Sequence, residues 1–126
     1  MKNNTDLYHM TSLEFLQQNV FHDLTNLNKK AEKPEDFKFS EEDFKKVLER
    51  ANYFGIAIYS INTWAKNTSF GASMHLDHNK KASDKRWYTK AFNTFKHRKE
   101  GLKYAATYKV PPKLVSRFST AASEEE

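Results

Sequence analysis

Twice along this chain the apolar spacing changes from the roughly 3.6-residue period of a helix to the alternation of a strand. Each change falls at a glycine, Gly55 and then Gly101. Before Gly55, the residues Phe44, Val47, Leu48 and Ala51 mark one helical stripe. Ser40 is an N-cap residue, and Glu41, Glu42 and Asp43 put negative charge at the positive end of the helix dipole. Phe39 and Phe44 occupy the hydrophobic-staple positions. Beyond Gly55, Ile56 to Ile61 is apolar on both faces, which predicts a well-covered strand. Before Gly101, the residues Trp87, Tyr88, Ala91, Phe92 and Phe95 form a second stripe, capped by Ser83 or Asp84. Beyond it, Leu102, Tyr104, Ala106, Tyr108 and Val110 alternate with Lys103, Ala105, Thr107 and Lys109. Pro111-Pro112 ends this strand, because proline has no N–H to give a ladder.

Two more elements complete the pattern. Thr11-Ser12-Leu13-Glu14 is a capping box, followed by Leu13, Leu16, Val20, Leu24 and Leu27 on one helical face. This predicts a helix running to Lys33-Pro34, since the residue before proline avoids the helical region. Lys66-Asn67-Thr68 can turn the chain, and Phe70, Ala72, Met74 and Leu76 then alternate as the buried face of a hairpin partner. The expected order is α-α-β-β-α-β. Three strands cannot hide their apolar face alone, so helices must cover it. The expected fold is a single α+β domain over residues 1–126: a two-layer sandwich of a three-stranded sheet covered by helices. Residues 1–10 and 113–126 are expected as loosely ordered ends. The third helix is long enough for a crossover, so a parallel pairing of the second and third strands is allowed but not required.

Composition narrows the chemistry. With 126 residues and 38% hydrophobic content the chain can bury one modest core, and its 16 Phe and Tyr residues must fill much of it. The absence of cysteine removes disulfides, thiolate nucleophiles and Cys-based zinc sites. Three glycines cannot build a phosphate-cradling loop. The first ten residues carry no apolar run, and the stretch from Tyr53 to Ile61 is too short to span a bilayer. A soluble cytoplasmic protein is the expectation.

His75, Asp77 and His78 are the one close grouping of metal-ligand residue types, with no third histidine nearby and no His-Glu-x-x-His pattern. A polar strand end accounts for them, and a small hydrolase built on them ranks last. Glu35-Asp36 and Glu41-Glu42-Asp43 are explained by helix starts rather than acid–base chemistry. No serine stands in a nucleophile-elbow context. The expectation is therefore a protein with no catalytic, cofactor-binding or metal site, and not an enzyme.

Charge points elsewhere. Residues 1–55 hold 8 Lys/Arg against 10 Asp/Glu, whereas residues 77–113 hold 11 against 3, a local +8 in a chain of net +5. An anionic partner is implied. Lys80, Lys81, Lys85 and Arg86 crowd one end of the third helix, and Lys96, Arg98 and Lys99 the other. Trp64, placed just past the first strand, is the ring best suited to anchor a partner. These eight residues form the expected partner-binding set. The helix's own rings fall at core spacing, which disfavours base stacking.

Gly55-Ile56 with Tyr59 and Trp64, then Asp84-Lys85-Arg86-Trp87-Tyr88 with Ala91-Phe92, then Tyr104-Ala105-Ala106-Thr107-Tyr108 with Val110-Pro111, carry a resemblance. In these pieces the chain resembles small immunity proteins of bacterial polymorphic-toxin and contact-dependent growth inhibition systems. The resemblance implies a cytoplasmic, non-catalytic protein that binds and neutralises a cognate toxin domain. Inhibitors of basic nuclease toxins are acidic, for electrostatic steering. This chain is basic, so the implied toxin presents an acidic surface, or the contact uses the acidic N-terminal half. The alternative from another class is a basic nucleic-acid-binding module.

Overall fold

The computed structural model describes residues 10–124. The elements run α1 (Ser12–Asn19), α2 (Glu41–Phe54), β1 (Ala57–Ala65), β2 (Thr68–Met74), α3 (Lys85–Arg98), β3 (Lys103–Lys109) and α4 (Pro112–Glu124). Short 3-10 turns lie at Pro34–Asp36 and His75–His78. The three strands make one antiparallel sheet of order β2-β1-β3. This is the α+β architecture expected, with the α-α-β-β-α-β order intact and α4 appended. β1 is central, so α3 returns the chain past β1 to lay β3 antiparallel against its other edge; β2 and β3 run in the same direction but are not paired.

α2 forms as its caps require. The Ser40 hydroxyl accepts from the Asp43 N–H, and Gly55 closes the helix in the left-handed region at φ 73°. Phe44, Val47, Leu48 and Ala51 are all buried. α3 is capped by Asp84 and buries Trp87, Tyr88, Ala91, Phe92 and Phe95. The two helices meet the sheet through rings: Phe92 lies edge-on to Tyr104 at 5.1 Å. Trp87 is enclosed, and its indole N–H donates to the Ala82 carbonyl at 3.3 Å.

Three expectations are corrected. α1 keeps its capping box but ends at Asn19, well short of Lys33. The cause is a side chain 30 residues away. The Arg50 guanidinium on α2 donates to the Val20 and His22 carbonyls at 3.0 and 2.8 Å and pairs with Asp23 at 3.2 Å. Asp23 itself turns the chain at φ 58°. Asn26 then holds an open loop, accepting from the Asn28 and Lys38 N–H groups, the local bonding that competes with a helix. The buried side of α1 is Phe15 and Leu16, continued by Val20 and Phe21, and Leu27 is exposed.

The facing of β2 is also reversed beyond Phe70, which packs against Phe95 as expected. Met74 and Leu76 are exposed, and Gly71 and Ser73 turn inward instead. Gly71 explains it. A Cβ there would stand 3.2 Å from Cε1 of Phe95, so the bare backbone lets α3 come close. A register shift between Thr63 and Trp64 in the β1–β2 pairing accommodates the change. β2 ends at Met74, and His75 and Leu76 belong to the following 3-10 turn.

The C-terminal segment, expected as a loose end, is helical from Pro112. Leu114 is buried, and Phe118 meets Phe15 edge-on at 5.0 Å, joining α4 to α1. Residues 1–9 of the expected N-terminal lead-in lie outside the described residues, while Met10 is buried in the core.

Candidate partner-binding face

α3 carries Lys85, Arg86, Lys90, Lys96 and Arg98 and no acidic residue. Its rings point into the core, so its outer surface is made of cations with Thr89, Asn93, Thr94 and His97. Fourteen residues extend about 21 Å along the helix axis. The two basic ends therefore stand between about two and three Debye lengths apart at physiological salt, so their fields are largely screened from each other.

At the C-terminal end, cations suit the helix dipole. Lys96 is half-buried with Nζ 5.1 Å from the Phe92 ring centre, and the Arg98 guanidinium lies 5.1 Å from the Phe70 ring centre. Lys99 is exposed just beyond. At the N-terminal end the dipole opposes them. Arg86 is answered by Asp84, which accepts from Nε at 3.0 Å and from Nη2 at 2.6 Å. The Arg86 side-chain bond, first among several contacts, holds the Asp84 carboxyl down to about 2, and the same bond raises Arg86. Lys80, Lys81 and Lys85 are exposed around this pair, and no ion pair involving them is formed among the described residues.

α2 and α3 enclose a groove of about 480 Å³. Leu48, Tyr88 and Phe92 line it alongside Lys45, Lys85 and Lys96, with Glu49 opposing them. The Tyr88 hydroxyl is buried without a hydrogen-bond partner among the described residues, and burial pushes it up to about 12. An apolar floor under ammonium groups fits a carboxylate-bearing side chain with some hydrocarbon of its own. Sequence reasoning passed over Lys45. Its signal is helical spacing, because Lys45, Leu48, Glu49 and Asn52 recur every three or four residues on one side of α2.

Trp64 lies inside β1 rather than past it, half-buried, with Lys38 Nζ 4.1 Å above its ring. It stands on the sheet rather than on α3. The most exposed large ring among the described residues is Tyr53 on α2, at 82%. It follows the groove-lining Asn52, and its place opposite the stripe of Phe44, Val47, Leu48 and Ala51 accounts for that exposure.

The His75, Asp77 and His78 grouping is a folded turn. His75 Nδ1 is 2.7 Å from the Lys80 carbonyl, and the Asp77 carboxylate takes the Met74 N–H at 2.9 Å. His78 Nε2 is 2.8 Å from the Ser73 hydroxyl, with its ring 5.5 Å from Trp87. Each polar group thus closes the turn or docks it on α3. No group of three or more His, Asp or Glu residues among the described residues is arranged to hold a metal ion.

Comparison with known protein families, with curated proteins and with solved structures finds no match to this chain. Among the described residues, no helix is long and apolar enough to cross a membrane.

Proposed function

We propose that this protein is a non-catalytic binding module of the immunity type, which takes an acidic face of a cognate toxin domain and blocks it inside the cell that makes it. One observation carries the reading: Lys80, Lys81 and Lys85 stand exposed at the start of α3. Folding does not ask for cations there, since the helix dipole disfavours them. A protein retains such charges for a partner. The groove between α2 and α3 continues the same surface with Lys45 and Lys96 over apolar lining.

The buried state of Trp87, Tyr88, Phe92 and Phe95 favours a protein over a nucleic acid. Single-stranded binding draws on exposed rings for stacking, and this helix offers charge without them. The test is binding of a fluorescent polyglutamate peptide, a duplex and a single-stranded oligonucleotide from low to physiological salt. The expected result is retention of the peptide, weakened by Lys85→Glu with Lys96→Glu, and loss of both oligonucleotides at physiological salt. Tight oligonucleotide binding that falls steeply with salt would replace this reading with the nucleic-acid module.

A further inference from the structure

The two edges of the sheet are treated differently. The outer edge of β3 is closed by the chain itself: Phe39 and Tyr104 exchange both backbone bonds, each at 2.8 Å. Among the described residues, the outer edge of β2 has no partner strand. Nor is it guarded. Thr68–Met74, TSFGASM, contains no charge and no proline, the usual devices that keep a bare edge from pairing. A row of unpaired N–H and C=O groups is satisfied by water or by another extended strand.

The local bonding shows which groups face outward. The Met74 N–H goes to the Asp77 carboxylate instead of continuing the ladder. Backbone groups alternate in direction along an antiparallel strand, so Ala72 points the same way, and Gly71 and Ser73 point toward β1. The Thr63 hydroxyl bonding the Gly71 carbonyl at 2.8 Å agrees with this. Ala72 is exposed, and Met74 is 45% exposed beside it.

The two ends of β2 carry opposite charges. Arg98 lies over Phe70 near one end, and Asp77 caps Met74 at the other. An antiparallel pairing of β2 with a second β2 sets the Phe70 end of each strand against the Met74 end of its partner. Arg98 of each copy then approaches Asp77 of the other, twice over. A parallel pairing would bring like charges together instead. We propose that the free edge of β2 is a self-association site, where a second copy of this chain adds its own β2 antiparallel about Ala72 to make one continuous six-stranded sheet. This surface lies outside the groove between α2 and α3 and shares only Arg98 with the α3 cations, so the Ala72 variants test the dimer independently of the acidic-partner reading.

Sedimentation velocity of the full chain over a wide concentration range tests it. The wild type is expected to move from monomer to dimer mass. Ala72→Lys, which leaves every α3 cation in place, is expected to weaken association by about tenfold or more, because two lysines would meet across the axis. Ala72→Pro removes the outward N–H and gives the same result through the backbone. Arg98→Asp weakens the dimer, and adding Asp77→Arg restores it. A wild type that stays monomeric throughout, a dimer indifferent to both Ala72 variants, or a charge-swapped double variant no tighter than Arg98→Asp alone overturns the proposal.

Discussion

The ring of Phe44 on α2 stacks on that of Tyr104 on β3, with centroids 5.2 Å apart and planes inclined by 15°. Both residues are fully buried, and Phe92 of α3 meets each of them, so one aromatic cluster ties both covering helices to the sheet. Phe44→Ala is expected to lower the unfolding free energy by about 3–5 kcal/mol. The Tyr104 hydroxyl has no hydrogen-bond partner among the described residues, so Tyr104→Phe is expected to change stability by about 1 kcal/mol or less. Urea denaturation of both variants decides this. A Phe44→Ala loss under about 1 kcal/mol would contradict the cluster's role.

Gly71 is predicted to resist the smallest substitution. Gly71→Ala forces Phe95 to move by a few tenths of an ångström or more and is expected to cost about 1–3 kcal/mol. Phe95→Leu in the same chain should recover part of that loss, which a double-mutant cycle measures. Additive losses would mean that the close approach does not set the facing of β2.

That facing shows why the sequence was legible in some places and not in others. α2, α3 and β3 declare themselves because caps, stripe and burial agree within each segment, from Ser40 to Gly55 and from Asp84 to Val110. β2 misleads because its apolar residues alternate cleanly, yet a contact between Gly71 and a helix residue 24 positions later decides which side faces in. The end of α1 is hidden for the same reason: its signal is Arg50, on another helix. In the candidate site, the charges of α3 were readable from composition, and its buried rings from spacing. The helical spacing of α2 puts Lys45 and Tyr53 off its buried stripe, but the groove that Lys45 lines depends on how α2 packs against α3.

Arg50 should therefore behave as a structural residue despite its charge. Arg50→Ala removes the donors held by the Val20 and His22 carbonyls and is expected to cost about 1–3 kcal/mol. Arg50→Lys keeps the charge but not the planar fork, and is expected to recover less than half of the loss. Thermal or urea unfolding of the pair is sufficient, and full rescue by lysine would reduce the contact to simple charge attraction.

Stability should fall at both ends of the pH scale for identifiable reasons. Burial raises Tyr88 and Tyr104 to about 12, and Tyr108 further. Unfolded phenols ionise near pH 10, so the unfolded state loses its protons first. The contribution of these tyrosines is whole below pH about 10 and is lost as pH climbs through about 12. The Asp84 carboxyl is held at about 2, so its contribution is whole above pH about 4 and is lost as pH falls toward 2. That loss is small, because the Arg86 partner is 72% exposed and screened. Urea midpoints across the alkaline range check the first statement. A flat profile through pH 12 would show the phenols to be hydrated.

The central claim, that the cations of α3 hold an acidic toxin face, is tested most directly by growth protection. A host whose growth is arrested by a candidate toxin domain, sought in the reading frames that neighbour this protein's gene, is supplied with the wild type or with Lys85→Glu and Lys96→Glu together. The wild type is expected to restore growth, and the double variant, at an unchanged urea midpoint, to lose most of that protection. Growth arrest despite the wild type, or full protection by the charge-reversed variant, would contradict the account.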